Sequence, residues 1–249
     1  MSATVETRAA KATLAAGLSM GLAVGLQLVS VPVCLRYWGE ETYGLWLALL
    51  ALATLVRSFE AGFSAYVGNE LNLQYHGDRE RLRRTLASAL VGAWGLIAFE
   101  LLAGALIVAS GALASLLGIP EEVARHGRAA LVFAILLLGF VVAGPLFGVI
   151  HKLLVPAGMQ HQSTWWFMGL QITQTGALIV AAYLGLSLVQ AAVLFAVALA
   201  LMQTASALYV ARKLPALFPW WKHPSRAQAV RDLVRSTVMS GGLLLTQAG

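Results

Sequence analysis

Two charged residues lie inside the second long apolar segment of this chain, residues 43–66. Arg57 and Glu60 are three residues apart, so on a helix their side chains share a face. A charge in hydrocarbon costs roughly 2.5 kcal/mol or more, so such residues usually face a protein interior or a water-filled cavity. The spacing therefore predicts either a structural ion pair or a binding site for a ligand or ion inside the membrane.

Further polar side chains interrupt the other apolar segments. Glu100 has no basic residue near it in the sequence, so we expect it either to be protonated or to line a cavity. Each glutamine within these segments either makes an interhelical hydrogen bond, worth about 0.6 kcal/mol, or contacts a substrate. The candidate substrate-binding residues are Arg57, Glu60, Glu100, Gln27, Gln171 and Gln174.

A hydrated cavity lined by these groups would suit an amphiphilic substrate with an anionic head. The guanidinium of Arg57 matches the geometry of a phosphate or of a carboxylated sugar. The carboxylates of Glu60 and Glu100 are suited to couple transport to H+ or Na+. The polar residues thus favour transport over catalysis.

Motifs for several other chemistries do not occur in the sequence. There is no G-x-x-x-x-G-K-[ST] phosphate loop and no H-E-x-x-H zinc motif. The two aspartates, Asp78 and Asp232, cannot build a D-x-D site of a glycosyltransferase, and no two histidines are four residues apart. The single cysteine, Cys34, excludes an intrachain disulfide. We therefore predict no enzymatic activity, no cofactor and no metal site.

The composition is that of a membrane protein. Hydrophobic residues make up 59% of the 249 residues and charged residues 11%, and the mean hydropathy is +0.77. A soluble domain has about 25% charged residues. The net charge of +6 comes from basic residues in short loops, which indicates membrane topology rather than nucleic-acid binding.

Six apolar segments are long enough to cross a bilayer, which takes about 20 residues each. They are residues 12–35, 43–66, 85–109, 129–150, 163–184 and 187–211, and they predict an all-α, polytopic transmembrane helix bundle. The first segment exceeds the apolar core of a signal peptide, about 7–15 residues, so we expect an uncleaved span. A seventh apolar run begins near Leu233 and reaches Gly249, so we expect the chain to be a fragment of a longer protein.

The basic residues predict the orientation of these spans. Thirteen lysines and arginines fall on one side of the six spans and three on the other, while Arg57 lies inside a span. By the positive-inside rule, the N-terminus and the segment after the sixth span are cytoplasmic.

Small and aromatic residues within the spans predict packing. Glycines recur at four-residue spacing as Gly17, Gly21 and Gly25 in the first span and as Gly144 and Gly148 in the fourth. Small residues at this spacing favour close approach of helices. Trp38 and Trp46, at the outer end of the first hairpin, are expected in an interfacial aromatic belt, with a stacking platform for a sugar ring as the alternative.

The segment VPVCLRYWGEETYGLWLAL, which joins the first two spans, resembles the first hairpin of polysaccharide-transporter-type flippases. These are the O-antigen and lipid-linked oligosaccharide exporters of the multidrug/oligosaccharidyl-lipid/polysaccharide superfamily. The next segment, FEAGFSAYVGNELNLQYHGDRERLRRTLASAL, is similar to that family's acid-x-Gly-(Leu/Phe) motif, polar pair and basic loop. Glu60 stands where aspartate is commoner, Gly62 matches, and Asn69 and Glu70 form the polar pair. The resemblance covers the first three spans, and the later spans agree only in hydropathy and loop length.

The resemblance implies two bundles of six helices that rock about a central cavity. Residues 1–215 would form the N-terminal bundle, residues 216–232 a cytoplasmic linker, and residues 233–249 the start of the second bundle. The implied activity is the flipping of an undecaprenyl-diphosphate-linked glycan to the outer leaflet of a bacterial inner membrane. Membrane lipids, a coupling H+ or Na+, and glycan polymerase or assembly proteins are the implied partners. Arg57 is the implied contact for the anionic head, oriented by Glu60.

Two other functions stay open at this point. A cation-coupled multidrug or metabolite antiporter of the same superfamily would be expected to keep more acidic residues in the bundle. A non-transporting membrane scaffold of glycan assembly would use Arg57 and Glu60 only as a buried ion pair.

Overall fold

The computed structural model describes residues 2–247, and the side-chain surroundings of residues 13–141, 144 and 147–237. Residues 2–247 form helices and connecting turns without a strand, which confirms the all-α class. The helices are α1 (Ser2–Val56), α2 (Ser58–Gln74), α3 (Arg79–Ala109), α4 (Leu113–Leu117), α5 (Glu121–His126), α6 (Ala129–His151), α7 (Gln160–Tyr183), α8 (Leu188–Lys213) and α9 (Arg226–Gln247). Two 3-10 helices, Lys152–Leu154 and Pro215–Leu217, lie in the connections.

Three helices in the described part of the chain are long and apolar enough to cross a membrane. They are Thr13–Val56, Arg79–Ala109 and Leu188–Lys213. On α8 the exposed apolar side chains of Val193, Val197 and Leu201 recur every four residues and so form one apolar face. Such a face is suited to lipid rather than to water. Membrane crossing by the remaining predicted spans stays a prediction.

The chain bends sharply at Gly39, within α1. Its φ of 76° and ψ of 172° lie in a region that essentially only glycine adopts. The ring centroids of Trp38 and Trp46 are 5.9 Å apart across the bend, although eight residues of a straight helix span about 12 Å. Trp46 is completely buried and packs edge-on against Phe195 of α8. The prediction that Trp46 lies in an interfacial belt or forms a platform for a sugar ring is therefore wrong, because its ring is buried in the helix core.

A second interruption lies at Arg57, where α1 ends and α2 has not yet begun. Arg57 has φ −85° and ψ 5°, in the sparsely populated bridge region. The N–H of Glu60 donates to the carbonyl oxygen of Arg57 at 3.0 Å. The two residues are three apart, as in a 3-10 turn, whereas an α-helix joins residues four apart. The single helix expected over residues 43–66 is thus two helices, with the charged residue at their junction.

Two apolar cores lie on either side of this junction. Residues of α1 up to Val56 join a core built around Trp46, Phe133 and Phe195. Residues of α2 from Phe63 onward join a second core, which extends to α3 and α8. The charged segment 57–60 therefore sits between the two cores, and α6 packs along both.

Helix α9 begins at Arg226, inside the segment predicted to be a linker, and packs against α2 and α3. The hydroxyl oxygen of Ser88 accepts a hydrogen bond from the N–H of Ser225 at 2.9 Å. The amide of Gln228 donates to the hydroxyl of Thr85 at 3.0 Å. The end of the linker is thus a helix bonded to the bundle. The predicted start of a second bundle falls mostly on residues 238–249, which lie outside the described side chains.

Candidate functional site

A cavity of about 840 Å³ opens between the α1–α2 junction, α6, α7 and α8. Its charged and polar lining includes Arg57, Glu60, His151, Lys152, Ser163 and Gln203. The volume falls within the range of about 300–1,000 Å³ that small-molecule sites occupy. Of the six candidate substrate-binding residues, the cavity brings together Arg57 and Glu60.

Arg57 and Glu60 form the ion pair that their spacing predicts. Nη2 of Arg57 lies 2.7 Å and Nε lies 3.1 Å from Oε2 of Glu60. The guanidinium carbon is 4.5 Å from the ring centroid of Phe140, so a cation–π contact holds its other side. The side chain of Arg57 is 26% exposed and that of Glu60 is 10% exposed. The pair is therefore both structural and open to the cavity.

The glycines of α6 provide the space for this carboxylate. A Cβ on Gly144 would lie 2.7 Å from Oε2 and 2.8 Å from Oε1 of Glu60. A Cβ on Gly148 would lie 3.1 Å from the hydroxyl oxygen of Ser64, one turn further along α2. The close packing predicted for Gly144 and Gly148 is confirmed, and polar groups of α2 occupy the contact.

The same spacing continues one more turn, to Gly68 and Lys152. A Cβ on Gly68 would lie 3.1 Å from Cδ and 3.3 Å from Cγ of Lys152, so the lysine stem lies on the backbone of α2. Positions 60, 64 and 68 thus contact positions 144, 148 and 152, respectively. Since the residue numbers increase in the same direction along both helices, α2 and α6 run parallel.

The glycines of α1 behave differently. A Cβ on Gly17, Gly21 or Gly25 would meet no atom of the described chain within 4 Å. The close packing predicted for these three positions is therefore not seen in the described part of the structure.

Helix α7 forms another wall of the cavity. Nδ1 of His151 and the hydroxyl oxygen of Ser163 are hydrogen bonded at 3.1 Å. Nε2 of His151 is buried and has no hydrogen-bond partner among the described residues. Further along, the hydroxyl of Tyr209 on α8 donates to the amide oxygen of Gln162. These bonds fix the start of α7 against α6 and α8.

The other four candidate residues lie outside this cavity. Glu100 is completely buried in α3, and neither carboxyl oxygen has a hydrogen-bond partner among the described residues. Gln27 is exposed on the surface of α1. Gln171 and Gln174 are half-buried on α7, and the amide oxygen of Gln171 also has no hydrogen-bond partner in the described part. The expectation that Glu100 lines the same cavity as Arg57 does not agree with this placement, because the side chain points into the packed interior.

Sequence reasoning missed the far wall of the cavity. By sequence, Lys152 is one of the thirteen basic residues that predict topology, and His151 and Ser163 lie at the ends of the fourth and fifth predicted spans. A signal was available in the cluster of polar side chains that joins the fourth and fifth spans, residues 151–164. Its meaning depends on α7 folding back over α6, which periodicity within one helix cannot show.

A second, strongly polar depression of about 510 Å³ lies between α2, α3 and α9. The hydroxyl of Tyr66 donates to Oδ1 of Asp232 at 3.4 Å. Burial raises the pKa of Asp232 above its usual range, while the hydrogen bond from Tyr66 and the charge of Arg231 oppose that shift. The charged lining comprises Glu70, Asp78, Glu80, Arg81, Arg84, Arg231, Asp232 and Arg235. Since four acids and four arginines balance in the described lining, this surface is suited to holding α9 rather than a charged ligand.

Comparison with known proteins identifies no relatives: no protein-family model, curated protein or solved structure matches the chain. Among the residues whose side chains the structure describes, no three histidine, cysteine or acidic residues lie close enough together to hold a metal ion. The cavity itself is therefore the feature from which a function is inferred.

Proposed function

We propose that this chain belongs to a membrane transporter that moves a lipid-linked polysaccharide precursor across the bacterial cytoplasmic membrane by alternating access. In this proposal the chain has six spans and a cytoplasmic N-terminus. The lipid tail of an undecaprenyl-diphosphate-linked glycan stays in the bilayer while the diphosphate and the glycan cross through the cavity.

The observation that carries the proposal is the cavity of about 840 Å³, with charged side chains inside an apolar helix bundle. Intramembrane charges usually mark a substrate or ion pathway. Arg57 lies in this cavity at a helix break, and irregular backbone at membrane depth is tolerated where it lines a cavity. A static apolar bundle needs neither the break nor the charges.

The direction of the helices supports the six-span topology. In a chain that crosses the membrane in alternate directions, the second and fourth spans run the same way. Helices α2 and α6 run parallel, as the contacts of Glu60 with Gly144 and of Gly68 with Lys152 require. The end of α6 then faces the side that the positive-inside rule assigns to the cytoplasm, from which a lipid-linked substrate would load.

Each alternative function has one observation in its favour. The mutual pairing of Arg57 and Glu60 is what a non-transporting scaffold would also show. The buried carboxyl group of Glu100, without a hydrogen-bond partner in the described chain, would suit a cation-coupled antiporter. The scaffold does not explain why the ion pair faces a large open cavity.

Translocation in proteoliposomes tests the proposal. The protein, with any residues encoded after Gly249, is reconstituted together with a fluorescent isoprenyl-diphosphate-linked disaccharide. A membrane-impermeant quencher then reports which leaflet holds the label. Protein-dependent transfer between leaflets supports the flippase. Transport of an organic cation driven by H+ or Na+, without lipid transfer, would favour the antiporter. Absence of both activities would favour the scaffold.

A further inference from the structure

The charges that line the main cavity do not balance. Among the described residues, its charged lining consists of Arg57, Glu60 and Lys152. Glu60 is already bonded to Arg57, with Oε2 at 2.7 Å from Nη2. Lys152 takes part in none of the ion pairs found among the described residues. The net positive charge of the cavity therefore resides on Lys152, not on Arg57.

Lys152 is also held in a defined position. Its Cγ and Cδ atoms pack where a Cβ on Gly68 would stand, at 3.3 and 3.1 Å. It follows directly on His151, whose Nδ1 is bonded to Ser163 and whose Nε2 is buried without a hydrogen-bond partner in the described part of the chain. Lys152, His151 and Ser163 all line the cavity, and the last two are bonded to each other.

The two cationic residues lie at different depths. Lys152 and Glu60 belong to contacts that are two turns apart along the parallel helices α2 and α6. Two turns correspond to about 11–12 Å along the axis. Arg57, paired with Glu60, thus marks the inner end of the cavity, and Lys152 marks the end nearer the predicted cytoplasmic side.

We propose that Lys152 is the primary anion-binding residue of this cavity and that it binds the phosphate groups of a phosphate or diphosphate ester. Ser163, held by its hydrogen bond to Nδ1 of His151, completes this outer subsite as a neutral hydrogen-bonding group. The inference rests on the proposed function, which it deepens by assigning the first contact with an anionic head to a residue other than Arg57. Arg57 keeps its bond to Glu60 while the ligand occupies the outer subsite.

The chemistry favours a phosphate ester over other ligands. An ammonium group is a compact charge that binds phosphate oxygens without requiring the planar geometry of a guanidinium. An organic cation would be repelled by the net charge of the lining. An uncharged sugar would not need the charge of Lys152, which carries a desolvation cost even when the side chain is only half-buried.

Ligand binding to purified protein tests the inference. The chain is placed in phosphatidylcholine nanodiscs, and calorimetry measures the binding of geranyl diphosphate and, separately, of inorganic pyrophosphate. The variants are Lys152→Gln, Lys152→Arg and, as a matched control outside the cavity, the exposed Lys222→Gln. Gel filtration and the helical circular dichroism signal establish that each variant is folded.

The wild type is expected to bind geranyl diphosphate, and K152Q to bind it at least about tenfold more weakly, as loss of one charge-assisted contact implies. K152R should recover most of the affinity, and K222Q should match the wild type. Loss of pyrophosphate binding in K152Q would also support the inference and would assign the affinity to the phosphate groups. Binding of geranyl diphosphate alone, lost in K152Q, would support it and add a contribution from the lipid chain.

Three results would overturn the inference: wild-type affinity in K152Q, an equal loss in K222Q, or no binding of either probe by the wild type. The translocation assay distinguishes a wrong assignment of Lys152 from a wrong proposal of transport. If the wild type translocates lipid and K152Q binds normally, the assignment of Lys152 is wrong and the transporter stands. If K152Q loses binding but the wild type translocates nothing, the anion site stands without the transport function.

Discussion

The carboxylate of Glu60 lies against Gly144, in the space that the Cβ of any other residue at position 144 would need. That Cβ would lie 2.7 Å from Oε2, closer than real Cβ contacts come. The glycine at this point of α6 therefore serves a charged side chain of α2 and not only the approach of two apolar helices. Through Glu60, the same contact determines where the guanidinium of Arg57 lies.

Replacement of Gly144 by alanine should destabilise the protein. The added methyl group displaces the Glu60 carboxylate, and because two hydrogen bonds to Arg57 hold this side chain in place, the overpacking should cost about 1–3 kcal/mol. Gly17→Ala is the matched control, because a Cβ there meets nothing within 4 Å in the described structure. Thermal unfolding in detergent should show a lower midpoint for G144A only, and equal midpoints for the two variants would refute the contact.

The ion pair should show energetic coupling. Arg57→Gln and Glu60→Gln each leave the other charge partly buried without its partner, which costs more than removal of both. A double-mutant cycle in unfolding free energy should therefore give a coupling of about 1–3 kcal/mol. Additive effects of the two substitutions would mean that the 2.7 Å contact contributes no net stability.

Much of the helical layout follows from hydropathy and spacing. The apolar segments after residue 85 coincide closely with α3, α6, α7 and α8, because each is long, apolar and bounded by polar residues. The pairing of Arg57 with Glu60 follows from their separation of three residues, since local helix geometry determines which side chains meet.

The rest depends on contacts between distant segments. The helix break at Arg57 cannot be predicted from the local sequence, because the residues around it favour a helix. The bridge-region backbone of Arg57 has to be stabilised by contacts with other segments. Glu100 is polar and intramembrane by sequence, yet it is enclosed in the packed interior. The role of Lys152 emerges only when α6 is laid along α2 and Gly68 receives the lysine stem.

Glu100→Gln should leave stability unchanged or raised. The carboxyl group has no hydrogen bond within the described chain to lose, and a buried amide is less costly than a buried carboxylate. Glu60→Gln is the comparison, since it breaks two bonds to Arg57 and should be destabilising. The unfolding midpoints of both variants at pH 7 check this. A loss of more than about 1 kcal/mol in E100Q would show that its carboxyl group has a bound partner such as a cation.

The docking of α9 should weaken as pH rises. Burial raises the pKa of Asp232 in the folded protein, so the folded state holds this proton more tightly than the unfolded chain. Stability from this group is complete below the unfolded value of about 3.9 and is lost as pH rises through the higher folded value. The neighbouring titratable and charged groups are Tyr66, Glu70, Arg231 and Arg235.

The unfolding midpoint of the wild type should therefore fall as pH rises above about 4, and that of the Asp232→Asn variant should fall less. The exposed Asp78→Asn variant should retain the wild-type profile, since the asparagine still caps α3. Parallel profiles for D232N and the wild type would mean that burial of Asp232 does not control the docking of α9.

The translocation rate of Arg57→Ala in proteoliposomes tests the central claim most directly, with K222Q as the folded control. The cavity account predicts a rate at least about tenfold below wild type for R57A, because the anion that moves inward from the Lys152 subsite loses a charge-assisted contact at the inner end of the cavity. K222Q should translocate the lipid-linked disaccharide normally. A wild-type rate in R57A, with its helical content intact, would contradict the account and leave Arg57 and Glu60 as a structural pair.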